Sequence, residues 1–271
     1  MPTPDGLNPP FAPDSDTTVA KDPAQADSAI DLMDEARQRL IVGLDVPGRE
    51  AALALVERLE RQCLWLKVGL ELFVAAGPRI VEELVGRGYS IFLDLKFHDI
   101  PNTVAGAVRS AAKLGTGMIN VHADGGPAML RAARAALEGI ANPPELLAVT
   151  VLTSMDQAQV SAVGLERTPG AQVELLARIS LEAGVRGFVC SPQEVAALRA
   201  LAGPEALLVV PGIRPAGSEI GDQKRIATPG DAICAGASHL VVGRPITQAA
   251  KPAEAAEAVL KEIAEALSVL Q

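Results

Sequence analysis

SIFLDLKFHDIPNT, residues 90–103, passes through three kinds of sequence in fourteen positions. Ser90-Ile-Phe-Leu93 is an apolar run, too short for a helix and rich in residues that suit a buried strand. It continues directly into the charged stretch Asp94-Leu-Lys96-Phe-His98-Asp99. Ile-Pro-Asn-Thr103 then opens a run of Ala and Val, residues 103–114, that favours helix. The order is strand, charged turn, helix: one β/α unit with its polar chemistry where the strand ends.

The same order recurs on both sides of this stretch. Short Val-, Ile- and Leu-rich runs lie at residues 40–44, 64–68, 118–121, 146–152, 187–190, 206–210 and 239–242, and with 90–93 they make eight. They are continuous rather than alternating, as expected of strands covered on both faces. Between them, residues 49–61, 78–88, 103–114, 128–138, 171–183, 192–201 and 253–267 are rich in Ala, Leu, Glu and Arg, and several have apolar residues at i, i+3, i+4. Gly88, Gly115 and Gly184 punctuate helix ends. Eight strands alternating with helices over about 230 residues predict a closed (β/α)8 TIM barrel of the α/β class. The rival, an open doubly wound sheet that binds a dinucleotide, would carry GxGxxG after an early strand, and none occurs. The barrel is expected to occupy residues 36–271 as a single domain.

Residues 1–35 differ. They are rich in Pro, Asp, Ser and Thr and lack apolar periodicity. They resemble neither a signal peptide nor a transit peptide, so a disordered or loosely ordered extension is expected, with an oligomer-contacting arm as the other reading.

Composition narrows the class. The chain is 49% hydrophobic but only 3% aromatic, so its core must be packed with Val, Leu, Ile and Ala. A net charge of -9 provides no diffuse basic face for nucleic acid, yet leaves room for a phosphorylated small molecule, which needs only a few local cations. No apolar run approaches the ~18–20 residues that cross a bilayer. Cys63, Cys190 and Cys234 are odd in number, widely spaced and without CxxC or Cys/His spacing. Each reads as a small buried apolar residue in a reducing compartment, hence a cytoplasmic protein.

In such a barrel, chemistry sits at the C-terminal ends of the strands. Those ends carry Asp45, Lys67, Asp94 with Lys96 and Asp99, then His122, Asp124, Thr153, Arg214 and Arg244. Asp94 and Lys96 are two apart, so an extended chain would point them to one side. With Lys67 and Asp99 they can form a lattice of alternating charges, whereas four unpaired buried charges would cost several kcal/mol per ion. A structural ion pair capping the barrel is the plainer reading; Lys67, Asp45 and two later arginines at equivalent places favour a functional one.

The second signal is anionic. PGIR at 211–214 and VVGR at 241–244 follow the last two strands, where barrels often bind phosphate. Glycines allow backbone N–H groups to approach oxygens, and Arg214 or Arg244 can add charge-assisted bonds. Gly243 directly precedes a helical turn at 245–249. Residues 215–225, including Gln223, read either as a loop able to close over a ligand or as an ordinary polar surface loop.

His98, His122 and His239 never pair at metal-ligand spacing, and no metal is expected. His98 and His122 read as hydrogen-bonded structural groups near the site. His239 stands at the start of a strand, the wrong end for catalysis, and Trp65 and Tyr89 read as packing.

DLKFHDIPNT (94–103), together with Asp45, Lys67, LTS (152–154), PGIRP (211–215), DQKR (222–225) and VVGRPI (241–246), closely resembles the orotidine 5'-phosphate decarboxylase family. The resemblance runs in order over residues 38–267 and shows no departure at the motif positions. It implies a cofactor-independent decarboxylase converting orotidine 5'-monophosphate to UMP. Lys96 would be the proton donor to C6, with Asp94 beside the substrate carboxylate and Lys67 and Asp99 completing the charge network. Asp45 and Lys67 would contact ribose hydroxyls, and Thr153 and Gln223 would serve the pyrimidine or the phosphate end. Arg214, Gly243 and Arg244 would serve the phosphate region. The resemblance further implies a homodimer in which Asp99 and Thr103 reach the partner's site. Two alternatives stand beside it. One is a Mg²⁺-dependent sugar-phosphate decarboxylase or aldolase that shares DxKxxD but carries a carboxylate where this chain has Lys67. The other is a non-catalytic phosphate-ligand-binding barrel.

Overall fold

The computed structural model describes residues 23–215 and 225–271. Eight parallel strands close into a barrel in sequence order: β1 (Leu40–Gly43), β2 (Trp65–Gly69), β3 (Ser90–Phe97), β4 (Met118–His122), β5 (Glu145–Val149), β6 (Gly187–Val189), β7 (Leu207–Val210) and β8 (His239–Val242). β1 pairs with both β2 and β8, so no strand edge remains open. Each of the eight apolar runs overlaps one of these strands.

Two apolar layers follow from the two faces of the strands. Ile41, Phe92, Met118, Leu147, Val149, Val189, Val209 and Val241 fill the barrel interior. Their neighbours, among them Leu40, Val42, Ile91, Leu93, Ile119 and Val121, join the layer between sheet and helices. Because side chains alternate along a strand, the interior register continues upward from Trp65 to Lys67, from Phe92 to Asp94 and from Met118 to Asn120. The barrel thus carries polar groups above an apolar floor.

β3 departs from the expectation. It continues past Leu93 to Phe97, but its register with β4 shifts between those residues, and Lys96 has φ +50°. A non-glycine residue in the left-handed region breaks the regular pleat, so simple two-residue alternation does not explain how Asp94 and Lys96 meet. They meet across a kink.

Several helices lie outside the sequence expectation. One, Pro23–Arg39, begins inside the segment read as an extension. Leu32 and Met33 pack on the core, Ala36 is fully buried, and the helix lies against the C-terminal helix Pro252–Leu270. Its few core contacts are interspersed with Asp31, Asp34, Glu35 and Arg37, which hide the apolar spacing. Leu70–Ala76 follows β2 directly, with Gly69 as its N-cap, and at seven residues is too short to show a clear period. Gln157–Ala162 and Pro229–Cys234 are one to two turns long, too short to show a period. The last of these corrects a reading: Cys63 and Cys190 are buried, but Cys234 is exposed, because it ends its helix on the outward side. Among the described residues, no helix is long and apolar enough to cross a membrane.

Candidate active site

A cavity of ≈ 440 Å³ opens at the C-terminal mouth of the barrel. Phe92, Val149, Val189 and Val241 give it an apolar floor. Asp45, Lys67, Asp94 and Lys96 form a charged wall where β1, β2 and β3 end. Thr153, beyond β5, and Gly212, Arg214, Gly243 and Arg244, beyond β7 and β8, line the rest.

The charged wall is a chain of alternating signs. Lys67 Nζ donates to Asp45 Oδ1 at 2.8 Å and lies 3.4 Å from Asp94 Oδ2. Lys96 Nζ donates to the other oxygen, Asp94 Oδ1, at 2.6 Å. Burial disfavours ionisation of Asp94, but Lys67 and Lys96, with hydrogen bonds from Lys96 and Asn120, outweigh it and hold the carboxyl below its usual range. Burial likewise works against the Lys67 ammonium, and Asp94 and Asp45 more than offset it, so its pKa is raised. Both groups are therefore ionised at neutral pH. The Lys96 side chain is 29% exposed against 11% for Lys67 and for Asp94, which makes it the more open of the two cations that line the cavity.

Glycine makes the pairing possible. A Cβ on Gly69 would stand 3.0 Å from Lys67 Nζ and 3.1 Å from Asp45 Oδ1. A Cβ on Gly43 would stand 3.2 Å from both Asp45 Oδ2 and Lys67 Cε. Any larger residue at either position would press on the ion pair.

The opposite wall suits an anion. Arg214 is buried, and burial together with the neighbouring charge of Arg244 lowers its pKa. Two guanidinium groups close enough to oppose one another favour a multiply charged anion nearby. Gly243 precedes the helical turn Arg244–Thr247, as the sequence reading expects. Arg214 is fixed through its backbone, whose N–H donates to Ala227 O at 2.9 Å.

Of the residues singled out from sequence, Asp45, Lys67, Asp94, Lys96, Thr153, Arg214, Gly243 and Arg244 line this cavity. Asp99 and Thr103 do not. Both are exposed, and the Asp99 carboxylate accepts from the N–H of Ile100 at 2.6 Å. Asp99 is thus not part of the charge chain within its own barrel. Gln223 lies outside the described residues. His98 and His122 sit at the rim rather than in the cavity, with rings 5.5 Å apart and Asp124 Oδ1 at 3.9 Å and 3.6 Å from their Nδ1 atoms. Burial lowers the His122 pKa, with Asp124 opposing and His98 and Lys96 adding to the shift. His239 stacks edge-on with Trp65 at the far end of the barrel. Among the described residues, no group of three or more His, Cys, Asp or Glu side chains is arranged to hold a metal ion.

Two features escape the sequence reading. Asn120, fully buried, donates to Asp94 Oδ1 at 2.7 Å and accepts from the Lys96 backbone N–H at 2.7 Å. Its signal was a single polar residue inside the apolar run of β4, where a buried amide must find partners. The other is the buried ion pair of Arg225 with Glu194. Arg225 Nη2 also donates to the carbonyls of Val151 and Leu152 at 3.2 Å and 3.0 Å, and Glu194 Oε2 accepts from Ser191 N–H at 3.0 Å. This pair therefore ties together the segments that follow β5 and β6, both of which border the cavity.

Comparison with known proteins agrees with this arrangement. Residues 38–259 match the model of the orotidine 5'-phosphate decarboxylase / HUMPS family. The chain is 54% identical over 226 residues to an orotidine 5'-phosphate decarboxylase of Chromohalobacter salexigens, covering 83% of this chain and 96% of that protein. It is 51% identical over 232 residues to one from Pseudomonas aeruginosa, covering 85% of this chain and 100% of the other. The crystal structure of orotidine 5'-phosphate decarboxylase from Lactobacillus acidophilus superposes with a TM-score of 0.73 at 40% identity, over 83% of this chain and 99% of that one. A closed eight-stranded barrel, a lysine–carboxylate chain at its mouth and these matches along most of the sequence together place the chain in the orotidine 5'-phosphate decarboxylase / HUMPS family.

Proposed function

We propose that this protein decarboxylates orotidine 5'-monophosphate to UMP and CO2, the last step of de novo UMP synthesis. The observation that carries the reading is the Lys96 ammonium, held by Asp94 over an apolar floor and open to the cavity. In the reaction, the bond from C6 to the carboxylate breaks and its electron pair stays on C6. That pair lies in the ring plane, where the π-system delocalises it poorly. A fixed cation beside C6 stabilises it, and preorganised charge in a water-poor site does so without reorganisation cost. Lys96 then transfers a proton from Nζ to C6, leaving a neutral amine that solvent reprotonates. Asp94, kept ionised by its neighbours, faces the departing carboxylate and destabilises the bound substrate relative to the transition state.

The remaining groups bind. Asp45 and Lys67 take the ribose hydroxyls; Thr153 and Gln223 serve the pyrimidine and the phosphate end; Arg214, Gly243 and Arg244 hold the phosphate. Binding energy gathered at the phosphate keeps C6 against Lys96. No metal or organic cofactor takes part in this scheme: Lys67 Nζ stands between the Asp45 and Asp94 carboxylates, a cation at the place where the Mg²⁺-dependent alternative would carry a carboxylate. The barrel domain, residues 36–271, carries this chemistry in our reading.

The active form in this reading is a homodimer. Ile100, Leu70 and Val74 are 67%, 56% and 82% exposed beside the ends of the neighbouring strands β3 and β2, an apolar surface that a second copy would cover. Asp99 and Thr103 flank Ile100 on that surface and would enter the partner's site. Free cysteines fit a cytoplasmic location. The test is absorbance-monitored conversion of orotidine 5'-monophosphate to UMP by the purified protein in EDTA. Turnover insensitive to the chelator supports the reading; absence of turnover, or turnover abolished by EDTA and restored by Mg²⁺, overturns it.

A further inference from the structure

Asn120 stands on β4 with none of its surface exposed, directly behind the Asp94–Lys96 pair. Its amide orientation is dictated by its partners. The Lys96 backbone N–H, at 2.7 Å, can only donate, so it must face Oδ1. The Asp94 carboxylate, also at 2.7 Å, can only accept, so it must face Nδ2. One side chain therefore grips the carboxylate of one residue and the backbone of the other.

The grip falls where regular strand pairing fails. β3 and β4 lose register between Leu93 and Phe97, and within that break Lys96 has φ +50°. An L-residue stays in that conformation only where its surroundings over-determine it, and such residues cluster at working sites. The side chain of Asn120 supplies a hydrogen-bond acceptor for Lys96 N–H within this break. We propose that Asn120 is a positioning residue for decarboxylation: it pins the left-handed Lys96 backbone and aims one Asp94 oxygen, so that the lysine ammonium is fixed beside the reacting carbon. The proposal rests on the assignment of Lys96 as proton donor. It adds a residue that acts through two others and itself lies outside the cavity lining.

Asn120→Ala and Asn120→Asp test it, alongside wild type, by kcat and KM for orotidine 5'-monophosphate and by calorimetric affinity for UMP. Loss of the pin misplaces the donor without touching the ribose or phosphate contacts. In Asn120→Ala, kcat should fall about 10- to 100-fold while KM and UMP affinity change less than about threefold. The aspartate variant adds a signature that a merely structural asparagine would not give. When protonated, its new carboxyl can donate to Asp94 as the amide does; when ionised, it repels Asp94. Its kcat relative to wild type should therefore fall as pH rises from about 5 to 8. A kcat of Asn120→Ala within about twofold of wild type, or a pH-independent ratio for Asn120→Asp, overturns the proposal.

Should neither variant fold, hydrogen exchange in the wild-type protein decides. The Lys96 amide must be strongly protected if Asn120 holds it, and exchange at the rate of an open loop overturns the proposal. That measurement also separates the two ideas. A wild-type protein inactive on orotidine 5'-monophosphate but protected at Lys96 would refute the assigned reaction and leave the pin standing.

Discussion

Lys96 Nζ lies 2.6 Å from Asp94 Oδ1, whereas Lys67 Nζ lies 3.4 Å from Asp94 Oδ2. One carboxylate thus serves two lysines unequally: it holds the more exposed one tightly and shares the buried one with Asp45. This division gives the lysines different work. The Lys67 ammonium lies between two carboxylates and maintains the field, while that of Lys96 is the more open of the two to the cavity.

Lys96→Ala should accordingly lower kcat by several orders of magnitude, because it removes both the cation beside C6 and the proton. UMP should still bind measurably, since Arg214, Arg244 and Asp45 remain. Single-turnover kinetics and calorimetry check the two halves of this expectation, and near-normal turnover in Lys96→Ala would remove the donor assignment.

The exposure of Asp99 leads to a second prediction. If it completes the partner's site, Lys96→Ala and Asp99→Ala are each nearly inactive alone but complement when mixed. Random reassortment gives half heterodimers, each with one intact site of two, so activity should recover to about a quarter of wild type. Mixing after mild dissociation, followed by assay and sedimentation, measures this directly. No recovery despite proven heterodimers would place Asp99 outside the shared site.

Much of this architecture was legible in the sequence because parallel strands buried on both faces give short, continuous apolar runs with no competing pattern. The cavity-lining charges were legible because Asp45 and Asp94 directly follow such runs and Lys67 is the one charge near the end of another. The unread parts depend on contacts between distant residues. Asn120 looks like an imperfection in a strand until the kink at Lys96 supplies its partner. Glu194 and Arg225 are 31 positions apart, and nothing local in either segment signals their pairing. The helix Pro23–Arg39 takes its stability from docking on Pro252–Leu270, a contact that a local period does not report.

Arg225→Ala would leave the Glu194 carboxylate buried without its cation and remove the donors to the Val151 and Leu152 carbonyls. Breaking a buried pair from one side typically costs about 3–5 kcal/mol, so Tm should fall by roughly 10 °C. The double variant Arg225→Met/Glu194→Gln removes both charges and should recover part of that loss. A double variant no more stable than Arg225→Ala would show that the ion pair is not what the single change breaks.

His239 gives a pH dependence of known sign. Its Nδ1 is buried without a hydrogen-bond partner among the described residues, and burial, with a smaller contribution from Arg39, lowers its pKa to about 4. An unfolded histidine titrates near 6.5, so between about pH 6.5 and 4 the unfolded chain binds the proton more readily than the folded one. This residue's contribution is therefore constant above that window, falls as pH drops through it by at most about 1.4 kcal/mol per unit, and levels off below it. His239→Gln remains neutral throughout and should lose less stability than wild type on acidification across the same range. Urea unfolding at intervals from pH 7 to 4 gives the difference between the two proteins, in which shared carboxylate titrations cancel. Parallel curves would mean that His239 titrates in the folded barrel much as it does in water, and that the polar atom beside Trp65 is not sealed from solvent.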